Sequence, residues 1–328
     1  MQPSDTQARK ALEKSHKHLP LKPRGESGPA LSNHFPVLVS AEPPRVSVIL
    51  PTYNRPEMLI EAVQSVLRQT LADFEILVVN DAGQDVLTLL KNLDHSGKIR
   101  YLAHEKNHGL AAARNTGLRA ARGRYIAYLD DDDIFYAQHL ETLVRLAESG
   151  RHPVVYSDAH CAQQKKVGGK YVITRRRPTY SNDFDADRIL VRNLLPVLCM
   201  LHERPCTEKT GPFDESLTTH EDWDMWIRMS RYYPFFHLKE VTCEFRSRKD
   251  GSSMSSSKHA DFLRTAKIIF SKHETYASGK PEVVKAQRED LLARSRGLEK
   301  AEKRNRRRRR LQAILNWRPL RILHSSRG

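Results

Sequence analysis

Four consecutive carboxylates, Asp130-Asp131-Asp132-Asp133, stand directly behind the apolar run Tyr125–Leu129. One of them has a plain structural use: Asp133, set before Ile134, reads as a helix N-cap accepting free backbone N–H groups. The others need a further reason, because adjacent carboxylates repel and raise one another's pKa unless a cation compensates. In an extended loop, residues 130 and 132 present oxygens to the same side. Oxygen ligands suit Mg²⁺ or Mn²⁺, and such a loosely held ion usually completes its shell with substrate phosphates.

A second constellation is His220-Glu221-Asp222-Trp223. Acidic residues favour the first turn of a helix, which accounts for them as caps. A carboxylate held rigidly at a cleft edge by a tryptophan-rich helix also suits a general base. His220 reads as a loop residue, since no His/Cys set with zinc spacing accompanies it.

The elements that must carry these groups are legible in the first half of the chain. Val46–Leu50, ended by Pro51, predicts a buried strand. Pro56–Gln69 then places Leu59, Ile60, Val63, Val66 and Leu67 at helical spacing. Phe74–Val79, Ile99–Ala103, Tyr125–Leu129 and Val154–Ser157 predict further strands. Leu110–Ala121, with Gly123 as its C-terminal cap, and Tyr136–Glu148 predict helices. Alternation of apolar strands with helices indicates an α/β fold, a parallel sheet covered on both faces. Ligands of such sheets gather at the carboxyl ends of the strands. Three such ends here read Pro51-Thr52-Tyr53-Asn54, Asn80-Asp81 and Asp130–Asp133, which puts three polar loops on one rim. The absence of a Gly-x-Gly-x-x-Gly or Gly-Lys-Ser/Thr loop argues against dinucleotide or P-loop chemistry.

Beyond Ser157 the pattern weakens. Lys165–Arg177 reads as a hairpin or loop, and Asp183–Leu195 as a helix. Glu221–Arg231 is a helix with the stripe Trp223, Trp226 and Ile227, and Gly251–Ser257 is a flexible run. Ala260–Tyr276 and Glu282–Arg304 read as helices, the second increasingly basic.

Composition narrows the classes. The 328 residues carry a formal net charge of +16, and Lys300–Gly328 alone holds eleven basic side chains against one acid. The body between that tail and residues 1–45 is nearly balanced, which argues against a domain built wholly around nucleic acid. The longest apolar run, Leu194–Leu201, is broken by Pro196 and is far short of the roughly 20 residues that span a bilayer. Met1–Lys10 offers no apolar stretch of the secretory kind. Cys161, Cys199, Cys206 and Cys243 form no Cys-x-x-Cys pair, so a reduced, cytoplasmic protein with buried thiols is the expectation.

Taken in order, Val46-Ser47-Val48-Ile49-Leu50-Pro51-Thr52-Tyr53-Asn54-Arg55, Val78-Val79-Asn80-Asp81, Asn107-x-Gly109-x-Ala111-x-Ala113-Arg114-Asn115-x-Gly117, Tyr125–Asp133 and Glu221-Asp222 resemble the family 2 glycosyltransferases of the GT-A fold. The dense part of the resemblance covers about residues 45–160, with a thinner continuation to about 257. It implies a Rossmann-like, mostly parallel sheet and an inverting transfer of a sugar from a nucleotide-diphospho-sugar, with UDP the usual carrier, to an acceptor hydroxyl. Cell-surface polysaccharide or glycolipid synthesis is the implied setting, with a glycan or lipid-linked acceptor. Pro51, Thr52 and Tyr53 match the loop that holds the nucleobase, Asp81 the acid that binds it, and Arg114 a basic residue of the nucleotide pocket. Asp130, Asp131 and Asp132 match the metal-binding triplet, the first two near ribose and phosphate and Asp132 on Mn²⁺ or Mg²⁺. Asp222 matches the acid that deprotonates the acceptor, with Glu221 beside it as the alternate. The family often has a small or apolar residue where Asp131 stands, so which of the four carboxylates holds the ion stays open, Asp130 being the second candidate. Arg246 or Arg248 matches a segment that closes over the diphosphate.

The expected organisation is an N-terminal extension at 1–44, a glycosyltransferase domain at 45–257 (nucleotide-sugar half 45–160, acceptor half 161–257) and a helical basic tail at 258–328. A nucleotidyltransferase, or a nucleic-acid binder acting through Arg306–Arg310, is the competing reading. Within Glu299–Leu323, the basic run precedes Leu311, Ile314, Leu315 and Trp317, and Pro319 interrupts before Leu320, Ile322 and Leu323. A cationic helix with an apolar stripe suits a segment lying on an anionic membrane surface.

Overall fold

The computed structural model describes residues 32–33, 42–253 and 258–316. In chain order the elements are β1 (Ser32–Asn33), β2 (Val46–Thr52), α1 (Pro56–Leu67), β3 (Phe74–Asn80), α2 (Leu87–Leu93), β4 (Ile99–Ala103), α3 (Leu110–Ala120) and β5 (Tyr125–Tyr128). There follow β6 (Ile134–Phe135), α4 (His139–Ser149), β7 (Val154–Val167), β8 (Lys170–Thr179), β9 (Met200–Glu203), α5 (Arg204–Thr210) and α6 (Glu221–Met229). Last come β10 (Phe235–Arg248), α7 (His259–Lys272), α8 (Glu274–Ala277) and α9 (Pro281–Asn316).

The strands form one sheet in the order β1-β4-β3-β2-β5-β9-β7-β10-β6, with β8 paired to β7. β4, β3, β2 and β5 are parallel neighbours, as the helix-strand alternation predicts. β2 and β3 are buried at every position, the signature of strands covered on both faces. Their carboxyl ends, together with that of β5, bring the three polar loops to one rim. The second half is mixed: β9 inserts antiparallel between β5 and β7, and β10 runs parallel to β7.

Several local expectations change. Asp133 does not cap a helix, because Ile134–Phe135 pairs with β10 and the next helix starts at His139. The Asp133 carboxylate instead accepts the Arg246 backbone N–H at 2.8 Å. Gly123 is no left-handed cap: α3 already ends at Ala120, with Ala121 extended. A Cβ on Gly123 would lie 2.4 Å from the Ser47 nitrogen, so glycine is required there by close approach to β2. Asp183–Leu195 holds a single 3₁₀ turn, Arg188–Leu190, in place of a helix. Several of its carbonyls are taken from outside: the indoles of Trp223 and Trp226 donate to Ile189 O and Leu195 O, and Gln287 Nε2 donates to Leu190 O. Backbone groups satisfied by tertiary partners no longer need a helix.

All four cysteines are free and buried. No described helix is long and apolar enough to cross a membrane. The final helix α9 runs 36 residues and carries the basic run, while Trp317, Pro319, Leu320, Ile322 and Leu323 lie outside the described residues.

Candidate active site

A cavity of about 880 Å³ opens on the rim, lined by Pro51, Thr52, Tyr53, Asp81, Arg114, Asp130, Asp131, Asp132, Glu221 and Asp222; of the two arginines read from the sequence, Arg246 lines it and Arg248 does not. Such a volume suits a ligand of nucleotide-sugar size.

One wall is a dense hydrogen-bond lattice. Asp81, at the end of β3, accepts His104 Nδ1 at 2.7 Å and the backbone N–H groups of His108 and Gly109 at 2.8 Å each. Burial opposes its ionisation, but the His104 ring and these two N–H groups outweigh burial and hold the carboxyl below the usual range. Gly109 can present its N–H there because it adopts φ +94°, a backbone state that favours glycine, immediately before α3. Asp131 accepts the Thr52 hydroxyl at 2.9 Å and an Arg55 guanidinium N–H at 3.1 Å. Burial and the neighbouring carboxylates still push its pKa up to about 6. Tyr53 is 48% exposed at the mouth, its ring free to lie against a planar ligand.

Arg114 joins this wall to the opposite one. Projecting from α3 and wholly buried, it donates to Asp130 Oδ1 at 2.6 Å and to the Glu221 carboxylate. Burial disfavours its charge, but Asp130, Glu221 and Asp222 overcome burial and raise its pKa. One cation therefore couples the acidic loop after β5 to the acidic start of α6.

The opposite wall is α6. Trp223 and Trp226 bury fully, and their indole N–H groups are both engaged, so this helix is rigidly anchored. At about 25 cal/mol per Å² and 150–250 Å² per aromatic side chain, each tryptophan contributes on the order of 4–6 kcal/mol of gross burial energy. His220, just before the helix, is strained into the left-handed region at φ 62°. α7 pins it there: His220 Nδ1 lies 2.8 Å from the Thr265 hydroxyl, and the rings of His220 and Phe262 meet edge to face at 4.7 Å. Burial lowers the His220 pKa to about 3, so the ring is neutral. Asp222 accepts Asn193 Nδ2 at 2.9 Å and its own helix's Trp223 N–H at 2.7 Å. Burial first, then the Glu221 charge, push its pKa up to about 7 against the pull of Arg114.

The C-terminal end of β10 closes the cavity with Phe245 and Arg246. Arg248 is buried and ion-paired with Asp132, which Arg55 also approaches at 3.3 Å. The Asp133 carboxyl is raised well above the usual range by burial and by Asp132 and Asp130. Among the described residues no cluster of three or more His, Cys, Asp or Glu is arranged to hold a metal ion by itself. Asp130, with 31% of its side chain exposed, and Asp132 are the more accessible carboxylates of the loop. Two carboxylates fit a divalent ion whose shell is completed by diphosphate oxygens and water, and do not make a closed protein cage.

Sequence reasoning missed several lining residues. Asn193, Arg192, Phe262, Asp290 and Arg294 all reach the cavity from segments without legible pattern, or from helices beyond the recognised motifs.

A sheet of this topology with a nucleotide-sized, carboxylate-rich cavity at its switch in strand direction defines the GT-A glycosyltransferase class. Residues 47–206 match the model for Glycosyl transferase family 2. The chain is 34% identical over 200 residues to the uncharacterized glycosyltransferase YwdF of Bacillus subtilis, covering 61% of this chain and 72% of YwdF. It is 30% identical over 229 residues to the UDP-Glc:α-D-GlcNAc-diphosphoundecaprenol β-1,3-glucosyltransferase WfgD of Escherichia coli, covering 68% of this chain and 85% of WfgD. Of a longer uncharacterized glycosyltransferase of Rickettsia felis, 34% identical over 193 residues (57% of this chain), it covers 30%. Among solved structures, S. aureus TarS 1-349 in complex with UDP-GlcNAc aligns with a TM-score of 0.58 at 20% identity, over 76% of this chain and 72% of that one. The mannosyltransferase PcManGT of Pyrobaculum calidifontis, in complex with GDP-Man and Mn²⁺, aligns with a TM-score of 0.54 at 19% identity, over 82% and 77%. The chain belongs to the family 2 glycosyltransferases.

Proposed function

We propose that this glycosyltransferase moves a hexosyl group from a UDP-sugar to a hydroxyl of a lipid-linked saccharide, inverting the anomeric centre, with Mn²⁺ or Mg²⁺ as cofactor. The observation that carries the reading is Arg114, which ties the donor-side Asp130 to the acceptor-side Glu221 within one cavity. The UDP-GlcNAc bound to TarS and the diphosphoundecaprenol acceptor in the name of WfgD support the substrate classes. The Mn²⁺ in PcManGT supports the metal.

In this reading Pro51, Thr52, Tyr53 and Asp81 hold the uridine, with Asp81 as fixed acceptor for the base. Asp130 and Asp131 lie toward ribose and diphosphate. Asp132, with Asp130 as second ligand, would hold the ion, which when bound would supply Lewis-acid stabilisation of the leaving diphosphate. Arg55, Arg246 and Arg248 add positive charge around the same loop. Asp222 takes the proton of the acceptor hydroxyl as its oxygen attacks the anomeric carbon from the face opposite the leaving group. The carbon–oxygen bond to the diphosphate breaks in the same step, so no covalent glycosyl–enzyme is formed. A pKa near 7 leaves Asp222 basic enough to accept that proton and about half ionised at neutral pH.

The basic run of α9 and exposed Leu311 support a further part of the reading, that the tail rests on an anionic membrane surface beside the lipid-linked acceptor. Cosedimentation with anionic vesicles tests it: truncation after Arg304 abolishes binding, and unchanged binding contradicts it.

Product analysis with a sugar-labelled UDP donor tests the transfer. Label appears in the acceptor with release of UDP; label retained in a new nucleotide anhydride would favour the nucleotidyltransferase reading. For the ion, titration of UDP with Mn²⁺ and with excess EDTA is decisive. Affinity falls sharply without metal, and Asp132→Ala removes that dependence; equal affinity in EDTA contradicts the metal.

A further inference from the structure

A second cavity, of about 550 Å³, lies between α7 and α9, outside the recognised motifs. Its walls are apolar: Phe262 and Leu263 from α7 face Leu298 and Ala301 from α9, with Gly297 leaving room between them. Its polar border is His259 with the cations Arg294, Lys300 and Arg304, Arg294 being paired with Asp290 one turn earlier, and among the described residues no acidic side chain lines the cavity itself. Phe262 and Arg294 also line the larger cavity, so the two spaces adjoin. They meet at the acceptor side of the active site. Arg294 Nη1 lies 3.5 Å from His220 Nε2 and its guanidinium 5.9 Å from the Trp223 ring centroid, the two residues that flank Glu221-Asp222 in the chain.

An apolar trough bordered by cations and entering a sugar-transfer site from the acceptor side fits one chemical class, an anionic phosphate or diphosphate carried on a hydrocarbon chain. We propose that this groove binds the lipid diphosphate of the acceptor. The hydrocarbon lies between α7 and α9, the phosphates meet Arg294, Lys300 and Arg304, and the attached sugar reaches Asp222. The inference rests on the transfer reading above and specifies where its acceptor is held. It also gives α7 and α9 a role in the site, since they supply both walls of the groove while α7 pins His220.

The test uses the full-length protein saturated with UDP and Mn²⁺, so that the donor cavity is filled. Calorimetric titration compares farnesyl diphosphate, inorganic diphosphate and farnesol. Farnesyl diphosphate binds at least tenfold more tightly than either of its halves. Ala301→Trp, which fills the trough, and Leu263→Gln, on the facing helix, each lower that affinity at least tenfold and leave UDP affinity unchanged. Lys300→Glu weakens farnesyl diphosphate but not farnesol. Equal affinity for farnesyl diphosphate and inorganic diphosphate overturns the proposal, as does full retention of binding in both Ala301→Trp and Leu263→Gln. Farnesol binding as tightly as farnesyl diphosphate also overturns it, pointing to a purely apolar occupant such as another protein segment. UDP binding and transfer to a tail-free acceptor sugar are followed in the same samples. Their loss with farnesyl diphosphate binding intact sinks the transfer reading alone; the reverse sinks the groove alone.

Discussion

The two walls of the active-site cavity solve opposite electrostatic problems. On the donor wall, Asp81 accepts from a histidine and two backbone N–H groups, which favour its ionised form and leave room on Oδ2 for one more donor. On the acceptor wall, Asp222 is buried beside the Glu221 carboxylate with one side-chain donor, Asn193, so burial first and Glu221 second favour its neutral form up to about pH 7. Under the proposed transfer, the difference matches the two roles. A carboxylate that must bind in one state is surrounded by donors, whereas one that must accept a proton is left short of them. Backbone strain is not divided this way: left-handed residues stand in the donor loops, Asn54 at φ 56° and Ala82 at φ 59°, as well as at His220, which α7 holds at φ 62°.

Substitutions can break this contrast. The largest effect is expected at Asp222→Asn, which lowers turnover by roughly 10²- to 10⁴-fold, the range for loss of a general base, while UDP affinity stays near wild type. If Glu221→Gln proves the crippled variant, the base is one residue earlier. Next is Arg114→Met, which strips the shared cation from Asp130 and Glu221. Breaking a buried ion pair on one side costs about 3–5 kcal/mol, read by chemical unfolding; stability within 1 kcal/mol of wild type would show that the two walls are not electrostatically joined. Asp81→Asn comes third. Losing charge-assisted hydrogen bonds worth about 1.5–3 kcal/mol weakens UDP binding roughly 10- to 100-fold, with turnover at saturating donor little changed. The smallest effect is at Asn193→Ala. It removes a hydrogen bond that favours the Asp222 carboxylate, so the break in the rate profile moves upward by about one pH unit. No movement would mean that Asn193 does not set the base.

The donor wall was legible in the sequence because strand ends and loops occupy short, contiguous stretches. Thr52, Asp81 and Asp130 to Asp132 each follow an apolar strand directly, so period and rim position could be read together. The acidic pair at the start of α6 was legible as chemistry, but its setting was not. Asn193 lies in a stretch with helical composition, some of whose carbonyls are captured by Trp223, Trp226 and Gln287, and only tertiary structure reveals that. β9 and β10 were missed for a related reason. Met200–Glu203 hides inside a mixed apolar run, and Phe235–Arg248 alternates irregularly because register shifts break its pairing with β7. Asp133 shows how local rules mislead: an aspartate before Ile134 has capping chemistry, yet its carboxylate accepts a backbone N–H from β10, 113 residues away.

The central claim is that Asp222 is the proton acceptor and that its surroundings tune it to neutral pH. The most direct test is the pH dependence of single-turnover transfer in the wild type and in Asp222→Asn. In the wild type the rate should rise about tenfold per pH unit in acid and level off above a break near pH 7, because the carboxylate must be free of its proton to act. In Asp222→Asn the rate should be low and the break absent. A wild-type profile flat from about pH 5 to 9, or a break that survives in Asp222→Asn, would contradict the account.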